Sequence, residues 1–337
     1  MTRAIFAGLA RNLANSVLVI AFDMGVCYNG FVNEKFEFEV NTMKKVSMCL
    51  WPFQVKVSDR YAIDVSKEIG LDGLDFSLFL HDARKEGDLY SLGKDAVTEY
   101  YTELKKYADE VGVKIVQTHG RMYGYGISEE ESEAFVKNSE LDALATGILG
   151  AKYCVVHTPP ITWVGNSYTD DELYDLNTKM FMRILPFAKE SGIKFAAETH
   201  GDSKKYSKME FFGYVDNLIR AIEIIKSYEE YADHICVCVD TGHTNLTVNY
   251  GEPDVATVIR RLGSLIEVLH LHDNNGMRDE HKIPCTGIIN WSSVIEALDD
   301  IGYSGYYNLE NDIDHFGKDF EMEEAKFSVM VMRNLLK

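Results

Sequence analysis

The chain has no stretch of about 18 uninterrupted apolar residues, so no membrane span is expected. Proline is scarce, six in 337 residues, and no Pro-, Gly- or Ser-rich linker divides the chain. With 46% hydrophobic and 26% charged residues, collagen-like, low-complexity and largely disordered readings drop out. Positive charge is in short supply: 34 Lys and Arg against 53 Asp and Glu give a net charge of −19. A duplex-binding protein gains most of its affinity by neutralising phosphates with Lys and Arg. Nucleic acid is therefore disfavoured as a partner, although an acidic chain can still carry a local basic groove. Cysteine is sparse too. Cys27, Cys49, Cys154, Cys236, Cys238 and Cys285 are scattered, several in apolar strand-like runs, where reduced, packed thiols are expected. Cys236 and Cys238 lie two apart in ICVCVD and face the same way on a strand. No second Cys pair or nearby His stands at zinc-finger spacing, so no structural metal is expected there. A reducing cytoplasm fits this usage.

The first 42 residues read as an extension. MTRAIFAGLARNLANSVLVIAF has a basic start and an apolar stretch, but no clean small-residue cleavage site follows it. FVNEKFEFEV (31–40) alternates near its end as an edge strand would. The regular pattern begins at Met43, so the expected division is an extension over 1–42 and a barrel over 43–337.

From there, short β-rich runs alternate with amphipathic stretches. The runs are 45–51, 73–78, 114–119, 152–157, 193–199, 234–240, 265–273 and 305–310. The helices fall at 58–69, 93–111, 128–149, 170–191, 211–231, 253–262, 291–301 and from about 318. Eight strand–helix units predict parallel strands with helical crossovers, an α/β (β/α)8 TIM barrel with an N-terminal extension. A barrel of roughly 250 residues or more is routine as one domain. Gly70, Gly112, Gly192 and Gly302 stand where helices end. A doubly wound open sheet is the runner-up, but it calls for a Gly-rich turn after the first strand, where this chain has WPFQV.

Strands three to eight each end in a group that binds metal or moves protons. The endings are QTHG (His119), VVHTPP (His157), AAETHG (Glu198), CVDTGH (Asp240, His243), LHLHD (His272) and YNLEND (Glu310), spaced 32 to 42 residues apart. In a barrel these ends converge on the face where active sites are built. Carboxylates buried at an apolar mouth are costly unless a cation pairs with them. Glu198, Asp240, Glu310 and neutral His272 suit a divalent ion: Mn²⁺, Co²⁺, Zn²⁺ or Mg²⁺. The competing structural reading pairs these carboxylates with Arg278, Lys204 or Lys282.

At these residues the chain resembles the xylose-isomerase-like TIM-barrel superfamily, which holds sugar and sugar-phosphate isomerases and epimerases together with endonuclease IV. The most specific stretch, HLHDNNGMRDEHKIPCTGIINW (270–291), is similar to the superfamily's HLHDNDG, D-x-H, PPGEG and I-D-W elements. The resemblance implies a principal metal site of Glu198, Asp240, His272 and Glu310, with the two glutamates as acid and base. It also implies that His243 and Arg278 hold substrate oxygens, with His119 and His157 near them. Two departures put sugar specificity in doubt: IPCTG replaces PPGEG, and Lys204 stands where the epimerase branch carries a second glutamate. His200 is an extra titratable group beside Glu198.

The implied chemistry is glutamate-mediated proton transfer through an enediolate, giving epimerisation or aldose–ketose isomerisation. The rival is an endonuclease IV-like zinc phosphodiesterase on abasic DNA. It uses nine ligands, and His119, His157, Glu198, Asp240, His243, His272, Asp279, His281 and Glu310 stand at every matching position. The charge balance and aromatic loops such as RMYGYG and TWVGNSY favour a small-molecule carbohydrate. A metal-dependent enzyme acting on glycosides or cyclitols is the third reading. The long loops and the extension leave room for a homo-oligomer contact.

Overall fold

A computed structural model describes residues 44–337. The extension expected over 1–42, and Cys27 within it, lie outside the described residues. Eight parallel strands follow in chain order: β1 (Lys45–Cys49), β2 (Gly73–Ser77), β3 (Ile115–His119), β4 (Tyr153–Val156), β5 (Lys194–Glu198), β6 (Ile235–Asp240), β7 (Ile266–His270) and β8 (Tyr306–Leu309). Each pairs with the next up to β7, and β8 pairs with β1 from Lys45↔Tyr306 to Met48↔Leu309. The last seam, β7 to β8, is a single bridge at Leu271↔Leu309. There Leu271 N–H donates to Asn308 O (2.8 Å) and Glu310 N–H to Leu271 O (3.1 Å). The expected barrel is therefore the observed one.

The outer ring is α1 (Asp59–Glu68), α2 (Lys94–Val111), α3 (Glu129–Leu149), α4 (Asp170–Ser191), α5 (Val215–Lys226), α6 (Val255–Leu262), α7 (Trp291–Asp300) and α8 (Glu321–Leu335). The starts of five are fixed by side-chain caps. Ser58, Ser128, Thr169, Asp254 and Asn290 each accept a backbone N–H three residues on. Gly112 and Gly192 end α2 and α4 in the left-handed region, at φ +81° and +67°, where a side chain would be strained. Two boundaries differ from the sequence reading. Pro52 opens a short helix at Trp51–Lys56, so β1 stops at Cys49 rather than at residue 51. After β5, a small antiparallel hairpin (Asp202–Ser203 with Lys208–Met209) and a turn at Phe211–Gly213 precede α5, which begins only at Val215.

Strand alternation sorts side chains into two separate cores. Outward residues such as Met48, Phe76, Phe195, Val237 and Leu269 pack with the helices. Inward, Val155, Ala196, Cys236, Cys238 and Val268 form a distinct cluster, so the two cysteines do share a face and pack there as free thiols. The rest of the barrel interior is polar. Asp75 Oδ2 accepts from Gln117 Nε2 and Asn308 Nδ2, both at 2.9 Å, and Ser47 Oγ donates to Asn308 Oδ1 at 2.8 Å. Among the described residues no helix is long and apolar enough to cross a membrane.

The loops above β2 and β3 are tied by a buried ion pair. Arg121 reaches Asp142 with Nε (2.7 Å) and Nη2 (3.1 Å), and its remaining donors go to the carbonyls of Leu78 and His81. Removing one partner leaves a buried charge uncompensated. Arg121→Met is expected to cost about 3–5 kcal/mol of stability in urea unfolding; a loss under about 1 kcal/mol would show that the tie is dispensable.

Candidate metal and substrate site

The polar endings of β3 to β8 meet at one mouth. Glu198 is fully buried at the end of β5. Its Oε2 lies 2.8 Å from His157 Nε2 and 3.9 Å from His119 Nε2. Its Oε1 lies 2.9 Å from His270 Nδ1. The same His270 nitrogen is 3.1 Å from Glu310 Oε2, while Glu310 Oε1 is 3.5 Å from His119 Nε2. The two candidate acid/base carboxylates thus rest on one imidazole.

A second group gathers beside it. Asp240 caps the short helix Thr241–Thr247, its Oδ1 accepting His243 N–H at 2.6 Å. Its other oxygen lies 2.9 Å from His272 Nε2. Thr241 Oγ1 donates to His272 O (2.7 Å) and accepts His272 N–H (3.0 Å), which locks the end of β6 to the end of β7. Gly242 is required by close approach: a Cβ there would stand 1.9 Å from the His272 ring. His243 Nδ1–H donates to Thr199 O (2.9 Å), turning Nε2 toward Asp279 Oδ2 at 3.2 Å, and His281 Nε2 reaches that oxygen at 3.3 Å. His281 stacks on His272 with centroids 4.0 Å apart.

Nine of the ten expected site residues are therefore brought together. Arg278 is the exception: its side chain is exposed and bonds to none of them among the described residues. His270 and Asp75 were the residues not foreseen as part of the site. His270 sits one layer below His272, as alternation places it, but it touches both glutamates. Asp75, a charge inside the apolar run GLDFSL, was the available signal for the network beneath. His200 is buried against His157 and His243, with centroids 5.2 and 6.0 Å away.

The motif HLHDNNG…IINW has a mechanical explanation. Buried Asp273 accepts Trp291 Nε1–H (2.9 Å), Asn274 N–H (2.9 Å) and Ile289 N–H (3.2 Å), so it folds the loop back beneath the mouth. Gly287 lies so close that a Cβ would stand 2.2 Å from Asp273 Oδ1 and Asn274 O. Cys285, which replaces a glycine in IPCTG, sits at φ +71°. That region strains a side chain by about 1–2 kcal/mol.

Charge in the cluster is internally compensated. Burial works to raise Glu198, but His157 and His270 outweigh it and hold its carboxyl well below the ordinary range. Burial likewise works to raise Asp240, yet His243 and His272 bring it to about 2. His243 is held well above the usual imidazole range against burial by Asp240 and Asp279, and Asp279 brings His281 to about 10. Burial and the neighbouring His157 and His243 push His200 down to about 3.

A divalent ion fits this donor set. Ligand atoms within 4.8 Å of one another occur in His119–His157–Glu198, His243–Asp279–His281 and His272–His281–Glu310. Glu198 Oε2 and His272 Nδ1 are buried without an aligned hydrogen-bond partner, a cost that a ligated cation removes.

Residues 63–334 match the family model described as xylose isomerase-like TIM barrel. The chain belongs to that family. An uncharacterized protein of Methanocaldococcus jannaschii is 30% identical over 163 residues, 48% of this chain and 52% of that protein. The chain spans about half the length of this curated relative and about a quarter of another. A D-psicose 3-epimerase of Enterocloster bolteae is 24% identical over 238 residues, 66% of this chain and 72% of that enzyme. Among solved structures, a D-tagatose 3-epimerase-like protein superposes with TM-score 0.66 at 22% identity, covering 87% of this chain and 97% of that one. That likeness carries the barrel fold of this xylose isomerase-like chain.

Two measurements follow from the geometry. Against burial, Asp240 and Asp279 favour the protonated form of His243, and Asp279 that of His281, so metal entering between them and Asp279 is expected to expel protons and to bind more tightly as pH rises. Calorimetry of Zn²⁺ binding in buffers of different ionisation enthalpy is expected to record release of at least about one proton per ion; no release would mean that the imidazoles the ion engages are neutral before it binds. Cys285→Gly is expected to raise unfolding stability by about 1 kcal/mol, and an unchanged or lowered urea midpoint would mean the loop bears no strain there.

Proposed function

We propose that the protein is a divalent-metal-dependent isomerase or epimerase of a sugar or sugar derivative, working by glutamate-mediated proton transfer. The observation that carries this reading is the pairing of Glu198 and Glu310 on His270 Nδ1, at 2.9 and 3.1 Å, inside a mouth that otherwise offers metal ligands. Epimerases among the relatives support it. Glu198, Asp240, His272 and Glu310 would hold the principal ion. His119, His157 and His243 are left for substrate oxygens or, with Asp279 and His281, for additional metal. Arg278, exposed and outside the cluster, is left as a further donor that substrate would have to reach. When bound, the ion polarises a carbonyl and its adjacent hydroxyl, acidifying the C–H between them.

One glutamate takes that proton, and the substrate becomes an enediolate. Return to the same carbon by the opposite glutamate gives an epimer. Delivery to the neighbouring carbon gives the aldose–ketose isomer. Glu198, fully buried, is the more shielded base, whereas the Glu310 side chain is 13% exposed. His270 steadies both carboxylates from below, and Asp75 stands 3.5 Å behind its Nε2. The described cysteines are all free and four of the five are buried, which supports the expected reducing, cytoplasmic setting.

A second reading draws on the convergence of all nine endonuclease IV-like ligand candidates. It predicts zinc-dependent cleavage of abasic duplex, against which the net charge of −19 weighs. The deciding experiment is a solvent-deuterium exchange screen of the metal-loaded protein across ketoses, aldoses, their phosphates and inositols, run beside an abasic-site cleavage assay. Exchange into one sugar class is expected. Glu310→Gln should abolish that exchange while far-UV circular dichroism stays native. Exchange that persists in Glu310→Gln would reject its acid/base role, and cleavage without exchange would select the nuclease.

A further inference from the structure

The mouth continues outward into a cleft of about 440 Å³ that the proton-transfer chemistry does not use. Its inner end is His157, His243 and Asp279, and its outer walls come from the loops after β3, β4 and β5. Tyr123 and Trp163 stand on those walls, stacked with centroids 4.9 Å apart and planes 18° off parallel. They remain 56% and 52% exposed. Large aromatics left that open in a concave site are unusual unless something covers them.

The ledge is built rather than loose. Trp163 lies in the turn Ile161–Val164, and buried Glu210 grips that turn. Its carboxylate accepts Ile161 N–H (2.5 Å), Thr162 N–H (3.1 Å) and Thr162 Oγ1–H (2.6 Å). Opposite, the hairpin after β5 presents Lys204 and Lys205 to the same cleft. Lys205 Nζ donates to Thr162 O at 3.2 Å, and neither lysine pairs with a carboxylate among the described residues. The acids that share the cleft are already engaged. Glu210 holds its turn, Asp279 faces His243 and His281, and Asp202 accepts from Tyr250 Oη at 3.2 Å. Two uncompensated cations are conspicuous in a chain of net charge −19.

The geometry points to a conjugated substrate: a sugar seated at the metal-ligand cluster and joined to a second ring that stacks on Tyr123 and Trp163, with negative charge facing Lys204 and Lys205. A lone hexose at the cluster would leave this ledge bare. The inference rests on the reading of the mouth as a sugar site and adds the size and charge of what the sugar carries.

The test is equilibrium binding to the zinc-loaded full chain, by calorimetry, of three probes that all keep a free carbonyl: D-fructose, its 6-O-benzyl ether and its 6-O-(4-carboxybenzyl) ether. The phenyl ring is expected to tighten binding about tenfold. The carboxylate should add about fivefold at low salt, and this increment should shrink in 0.5 M NaCl. Tyr123→Ala combined with Trp163→Ala should bring the benzyl-to-free ratio near one, and Trp163→Phe alone should keep most of it. Lys204→Ala with Lys205→Ala should cancel only the carboxylate increment. Equal affinity for the three probes, or a ring advantage that survives the double aromatic variant, would overturn the inference. Deuterium exchange into a free sugar with no preference for conjugates would sink this inference and leave the proposed chemistry standing. Failure of every sugar, free or linked, to bind or exchange would sink the chemistry itself.

Discussion

Everything at the mouth depends on keeping carboxylates charged inside a barrel. Glu198 and Asp240 have no exposure, and a bare carboxylate in that position is prohibitively costly. Imidazoles supply the compensation: His157 and His270 for Glu198, His243 and His272 for Asp240. These histidines are also the groups that a divalent ion would engage. A divalent ion bound at the mouth would take over this compensation, displacing any proton carried by the imidazoles it engages.

That requirement explains the unusual barrel interior. TIM barrels commonly fill their inside with branched apolar residues. Here the apolar part of the interior is only Val155, Ala196, Cys236, Cys238 and Val268. Elsewhere in the interior, Asp75, Gln117, Asn308 and Ser47 form a hydrogen-bonded group against which His270 rests. Three ties at the mouth use a buried charge: Arg121 with Asp142, Glu210 under the Trp163 turn, and Asp273 under the loop to Trp291. Buried polar ties of this kind hold side chains in place only if fully satisfied, and these three are bonded on several sides.

Much of this was legible in one dimension. The alternation of apolar runs and amphipathic stretches predicts eight units because a parallel strand needs a crossover, and the polar residue closing each of strands three to eight locates the face where they converge. The same reading misplaced local features whose cause is not periodic. Pro52 starts a helix inside an apolar run, and the hairpin at Asp202–Ser203 and Lys208–Met209 is too short to leave a pattern. Asp75 was visible as a charge within GLDFSL, but its importance depends on Gln117 and Asn308, which are 42 and 233 residues away.

Residue order by itself determined the barrel, its active face and the seven groups that close strands three to eight, because strand length, alternation and the unit repeat suffice to place them; Asp279 and His281, in the loop after β7, were foreseen only through the family resemblance. Only the tertiary structure decided how those groups meet. It put Glu198 and Glu310 on one nitrogen of His270, left Arg278 outside, and stacked Tyr123 of one loop against Trp163 of another. Such contacts are set by the closure of the barrel and by loops folding across its mouth, and distances between strand ends carry no trace in a one-dimensional pattern. The shortage of positive charge likewise takes on a place in three dimensions. In a chain with 53 Asp and Glu against 34 Lys and Arg, two lysines stand on the wall of the cleft with no carboxylate partner among the described residues.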